Sequence, residues 1–180
     1  LMEGEDLKAK AKEINEIAAS SKVKPSTVVV TGVAAVQPLD SEEAAKARGQ
    51  LLKDSLSIAA DINAITFTAI EEGPQSAAPI FKAPTPTEFE RKLLIDLVKD
   101  VGKYADDVGA ILALEPVNRY ETHFINTLDG AINICKEAGM KNVKIMADTC
   151  ELNIEEESIT ESIERAGEYI YHVHLSDNNR

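Results

Sequence analysis

The sequence predicts an α/β fold, a parallel sheet covered by helices in the manner of a (β/α)8 TIM barrel that is incomplete in this chain. Four observations carry that prediction. Short runs of β-branched and apolar residues alternate with longer stretches of helical periodicity. The strand runs are almost continuously apolar, as in strands buried on both faces. No GxGxxG or GxxxxGKS/T follows any strand, so the usual reason to prefer a nucleotide-binding open sheet is missing. Carboxylates and imidazoles instead gather where strands end, as on the active face of a barrel.

Taken in order, residues 5–20 read as a helix, with Leu7, Ala11, Ile14, Ile17 and Ala18 spaced for one face. TVVVT (27–31) is a short buried strand. A second helix starts at Asp40-Ser41-Glu42-Glu43, with Asp40 as its cap and Glu43 three residues on. It runs to about residue 60 and buries Leu51, Leu52, Leu56 and Ile58. AITFTAI (64–70) is the next strand and ends in Glu71-Glu72-Gly73-Pro74. A proline-rich loop (77–87) leads to a helix with Phe89, Leu93, Leu94, Leu97 and Val101 on its apolar side. Further strands are expected at 110–114, 143–147 and 169–175, with helices at 127–138 and 159–166. Those five strands correspond roughly to the second to sixth of a barrel. A full barrel of eight strands and about 250 residues would need an early strand and the last two. The chain, which opens Leu1-Met2-Glu3-Gly4, is therefore read as one partial barrel domain over residues 1–180.

Composition narrows the function classes. With 44% hydrophobic residues the chain can bury a core, so disorder is not expected. A net charge of −12 argues against a nucleic-acid partner, which rewards a basic patch. No apolar run approaches a membrane span, and no export signal is visible; a soluble, cytoplasmic protein is expected. The two cysteines, Cys135 and Cys150, lack metal spacing. Cys135 lies in an apolar helical stripe, where a small buried thiol is the simple reading.

Three strand-end motifs carry chemistry. EPVNRYE (115–121) follows GAILAL, and a carboxylate leaving a buried strand needs a cation. A divalent ion would serve Glu115; so would an arginine such as Arg119. DTCELNIEE (148–156) follows VKIMA. Asp148 is either a metal ligand or a turn residue accepting local backbone N–H groups. Glu155 and Glu156 are expected to serve the first turn of the next helix. In HVHLSDNNR (172–180), strand alternation puts His172 and His174 on one side, with His174 nearer the strand's end. A histidine there, with two carboxylates ending neighbouring strands, suits a ligand, whereas His172 reads as core or support. One imidazole among carboxylates suits Mn²⁺, Mg²⁺ or Co²⁺ better than a sulfur-rich zinc site.

EPVNRYETHFINT, DTCELNIEE and HVHLSDNNR resemble the D-tagatose/D-psicose 3-epimerases among the xylose isomerase-like TIM barrels, densely from about residue 110 to 180. The resemblance implies a single divalent ion, expected to be Mn²⁺, held by Glu115, Asp148, His174 and a second Glu beyond Arg180. It also implies substrate contacts from Glu121 and Arg180. The family usually reads DTFH with its His against the substrate; here that position is Glu151, an acid that would meet the substrate or approach the metal. The implied reaction is epimerisation of a ketose at C3 through an enediolate, with Glu115 as one of two catalytic acids. The implied partner is a small sugar, with no nucleic acid or membrane and with homo-oligomers possible. The alternatives are a sugar or hydroxypyruvate isomerase of the same superfamily, or a non-catalytic relic that binds metal or carbohydrate.

Overall fold

The computed structural model describes residues 7–29, 38–70 and 85–177. Helix α1 (Leu7–Ser20) precedes strand β1 (Thr27–Val29), followed by α2 (Glu42–Ile62), β2 (Ile65–Thr68), α3 (Glu88–Val108) and β3 (Leu112–Leu114). Then come α4 (Leu128–Ala138), β4 (Val143–Asp148), α5 (Thr149–Glu155), α6 (Ile159–Ala166), a 3₁₀ turn (Gly167–Tyr169) and β5 (Ile170–His174). Residues 30–31 of the expected first strand, Gly73-Pro74, most of the proline-rich loop, and Arg180 lie outside the described residues.

The strands form one parallel sheet in the order β1-β2-β3-β4-β5. A doubly wound sheet needs a point where strand order reverses. Here each strand adds to the same edge, so right-handed crossovers bring successive helices to one face and the sheet curls as a half-barrel. The main apolar cluster lies on that helical face and includes Leu112, Leu114, Val143, Ile145 and Ala147 from the strands. A smaller cluster of Ile65, Ala113 and Met146, with Phe67 and Ile111 against it, fills the concave face. A third joins α1, β1 and α2 through Ala11, Val28, Ile58, Ala59 and Ile62.

Local signals explain most boundaries. Ser41, rather than the expected Asp40, caps α2, its hydroxyl accepting from Ala44 N at 3.2 Å. The serine is the residue three before a helical N–H, the geometry an N-cap needs. Thr87 and Glu90 form a capping box at α3. Two expected core residues lie outside. Ile17 is 62% exposed, because it sits about 100° round the helix from Ala18, which faces inward. Phe89 is 53% exposed; the inward position of that first turn is taken by the neighbouring Glu90, which reaches His123 (Oε2 to Nε2, 3.4 Å). Burial pushes the Glu90 carboxyl up, but the Thr87 amide and hydroxyl, helped by His123, outweigh it and hold the group below the ordinary value. Burial likewise lifts the Cys135 thiol to about 11, in keeping with an inert structural cysteine.

Candidate metal centre at the strand ends

Alternation along the strands builds the site. Residues 111, 113 and 115 point to the concave face in turn, so Ile111 and Ala113 plug the interior and Glu115 emerges above them. The same step takes Met146 to Asp148 on β4 and His172 to His174 on β5. Register then decides which side chains meet. Ile145 pairs with Ile170 but Met146 pairs with His172, leaving Tyr171 as an extra residue on β5. This bulge flips the strand: Ile170 packs on the helical face, while Asp148 comes opposite His174.

The result is that one ligand atom each from Glu115, Asp148 and His174 lies within 4.8 Å of the others. Asp148 divides its two oxygens: one makes the local turn contacts, and the other faces the cluster. Oδ1 accepts from the Cys150 amide (2.7 Å) and the Ser176 hydroxyl (2.9 Å). Oδ2 faces His174 Nδ1 at 3.8 Å. The His174 ring meets the edge of Phe67 (centroids 5.1 Å) and stands perpendicular to His172 (5.2 Å). Burial and the proximity of His174 push the His172 pKa down, which favours a neutral supporting ring. Two carboxylates and an imidazole held this close, with one carboxylate already oriented by fixed donors, fit a hard divalent cation.

Thr149 and Ser176, which the sequence did not single out, stitch the two strand ends together. The Thr149 hydroxyl donates to Ser176 O (2.8 Å) and accepts from Ser176 N (2.9 Å). Thr149→Val keeps the shape and removes both bonds. At about 1 kcal/mol net per bond, it is expected to lower stability by about 2 kcal/mol, read as an earlier urea midpoint at unchanged slope.

The loop after β3 is tied to α5. Glu151, buried at 1% exposure, takes two hydrogen bonds on Oε2, from Asn118 N (2.7 Å) and Asn118 Nδ2 (2.6 Å). The same amide donates to Glu121 Oε1 at 2.9 Å. Both acids expected at the substrate are thus joined through Asn118, a residue whose lack of charge concealed it. Arg119, offered as a partner for Glu115, is engaged by Glu155 instead (Nε to Oε1 2.9 Å, Nη2 to Oε2 3.0 Å). The next helix is capped by Ser158, and Glu156 reaches its first turn at the Ser162 hydroxyl, whereas Glu155 turns to Arg119. Glu155 ends α5, a short helix that the sequence did not announce. Glu156 serves a second first turn as well, accepting from Leu128 N of α4 at 2.7 Å.

Comparison with known proteins agrees with this architecture. A D-psicose 3-epimerase of Ruminiclostridium cellulolyticum is 40% identical over 93 residues, 52% of this chain and 31% of that protein. A 3-dehydro-D-guloside 4-epimerase of Escherichia coli is 33% identical over 102 residues, 57% of this chain and 39% of its own. Among solved structures, a D-psicose 3-epimerase in the presence of D-fructose superposes with a TM-score of 0.77 at 25% identity, covering 94% of this chain and 59% of that one. The chain thus spans less than two thirds of that relative. Among the described residues, no helix is long and apolar enough to cross a membrane. The sequential parallel strands agree with the model of the xylose isomerase-like TIM barrel family, which matches residues 3–180, and the chain belongs to that family.

Proposed function

We propose that the protein is a divalent-metal-dependent ketose 3-epimerase. The observation that carries the reading is the approach of Glu115, Asp148 and His174 within 4.8 Å at adjacent strand ends, inside a segment similar to D-psicose 3-epimerases. Glu115, Asp148 and His174 would hold the ion, with Mn²⁺ the preferred candidate. Bound there, the ion would supply Lewis-acid stabilisation of the negative charge that develops on the sugar oxygens.

The chain's own groups divide the remaining work. Glu115 would take or return the proton at the carbon beside the ketone, giving an enediolate that is reprotonated on the other face. Glu121, held by Asn118, and Arg180 would orient the sugar. The names of the relatives support this chemistry. A ketose 3-epimerase and a 3-dehydro-sugar 4-epimerase both invert a carbon next to a ketone. A cytoplasmic enzyme acting on a free sugar is the setting this reading expects.

The test is a panel of ketoses assayed with the intact protein and Mn²⁺, before and after chelation. Epimerisation at C3 that disappears with chelator and returns with Mn²⁺ is the expected result. Turnover indifferent to metal removal overturns the metal mechanism. Carbonyl migration in place of inversion selects the isomerase alternative.

A further inference from the structure

We propose that Glu151 and Glu155 are positioning residues that clamp Asn118 and Arg119, fixing the Glu115–Glu121 segment against Asp148. The inference rests on reading Glu115, Asp148 and His174 as a metal centre. Helix α5 continues directly from Asp148, and its two glutamates, four residues apart, lie on one face. Each receives a backbone N–H and side-chain N–H groups from one of two consecutive loop residues. Glu151 takes Asn118 N and Nδ2; Glu155 takes Arg119 N (2.7 Å), Nε and Nη2. Bonds to a carboxylate are the stronger kind, and here both acceptors are sheltered, with Glu151 1% exposed and the Glu155 side chain 5%.

A residue held at both backbone and side chain cannot turn, and Asn118 is held further. Its Oδ1 accepts from Tyr120 N (2.9 Å) and its Nδ2 also reaches Glu121. Its side-chain amide is thus shared between the loop and Glu151 of α5. Glu151 therefore acts on the site at second hand, by orienting Glu121 through the shared amide. Where the resembled family places a histidine against the substrate, this chain places an acceptor against its own loop.

The charge of Glu151 and its hydrogen-bonding oxygen can be separated. Both Asn118 donors converge on one oxygen, and the amide oxygen of Glu151→Gln can receive them. Glu151→Gln is expected to keep amide hydrogen exchange in residues 115–127, and Mn²⁺ affinity by equilibrium dialysis, close to wild type. Glu151→Ala is expected to lose about tenfold in Asn118 amide protection and about tenfold in Mn²⁺ affinity, the scale for groups that orient ligands. Glu155→Ala, at the outer half of the clamp, is expected to release the Arg119 amide with a smaller change in affinity. It keeps the test decisive if Glu151→Ala fails to fold. The proposal is overturned if Glu151→Gln is as damaging as Glu151→Ala, because the charge itself would then bind metal or substrate. It is also overturned if Glu155→Ala leaves exchange in the loop unchanged. A wild-type chain that does not bind Mn²⁺ overturns the metal reading alone; the exchange measurements still decide the clamp.

Discussion

Asp148→Asn is expected to abolish useful Mn²⁺ binding while leaving the fold in place. The reason lies in how the carboxylate is shared. Oδ1 must accept from the Cys150 amide and the Ser176 hydroxyl, so an asparagine keeps its carbonyl oxygen there. Its NH₂ then falls where Oδ2 now faces His174 at 3.8 Å. An amide nitrogen carries two donors and no lone pair for a cation, so the substitution replaces a proposed ligand with a group that repels an ion. Ligand-orienting groups alone are worth 10–100-fold in affinity, so losing a ligand should cost about 100-fold or more. Stability should change little, because the two local hydrogen bonds persist and one of two neighbouring carboxylates is neutralised. Calorimetric titration with Mn²⁺ and a thermal melt on the same sample make the comparison. Affinity within a few-fold of wild type would remove Asp148 from the proposed ligand set.

What could be foreseen followed from which forces leave a mark in sequence. Buried parallel strands must be short apolar runs, which makes LAL and VKIMAD legible; the edge strands β1 and β5 are legible by the same apolar pattern although Val29, Tyr171 and Val173 are exposed. A charged group leaving such a run stands out, which is why the sequence alone marks Glu115, Asp148 and His174, the three side chains that the fold brings within 4.8 Å. The bulge at Tyr171 left no trace, because it depends on the pairing of β5 with β4. Helix α5 is seven residues long, and TCELNIE contains three weak helix formers, Thr, Cys and Asn. Its stability comes from Glu151 and Glu155 reaching a loop more than thirty residues earlier. Glu156 shows the same limit: its negative charge also serves a second helix start, α4's, 28 residues back. Charge near a helix is legible in sequence, whereas the choice of helix is tertiary.

Gly102 carries the largest expected effect on the fold, and it reaches the site from the far end of β4. Glycine inside a helix costs up to about 1 kcal/mol relative to alanine, so on propensity alone Gly102→Ala should stabilise α3. The packing argues the opposite. A Cβ there would stand 2.8 Å from Val143 Cγ2 and 3.3 Å from Met140 Cγ. Met140 can bend away, but Val143 is β-branched, stiff and buried at the first position of β4. Nor can the helix back off freely, since Asn142 Nδ2 donates to Gly102 O at 3.1 Å and ties the two elements together. Overpacking of this kind costs about 1–3 kcal/mol, so after the gain in propensity Gly102→Ala should lose up to about 2 kcal/mol net in urea unfolding. Gly102→Val, which adds two methyl groups at the same contact, should lose more than about 3 kcal/mol. The displaced Val143 begins the strand whose last residue is Asp148. Mn²⁺ affinity of the folded Gly102→Ala protein should therefore fall together with its stability, and a rise in stability would show that the α3–β4 contact has room the distances deny.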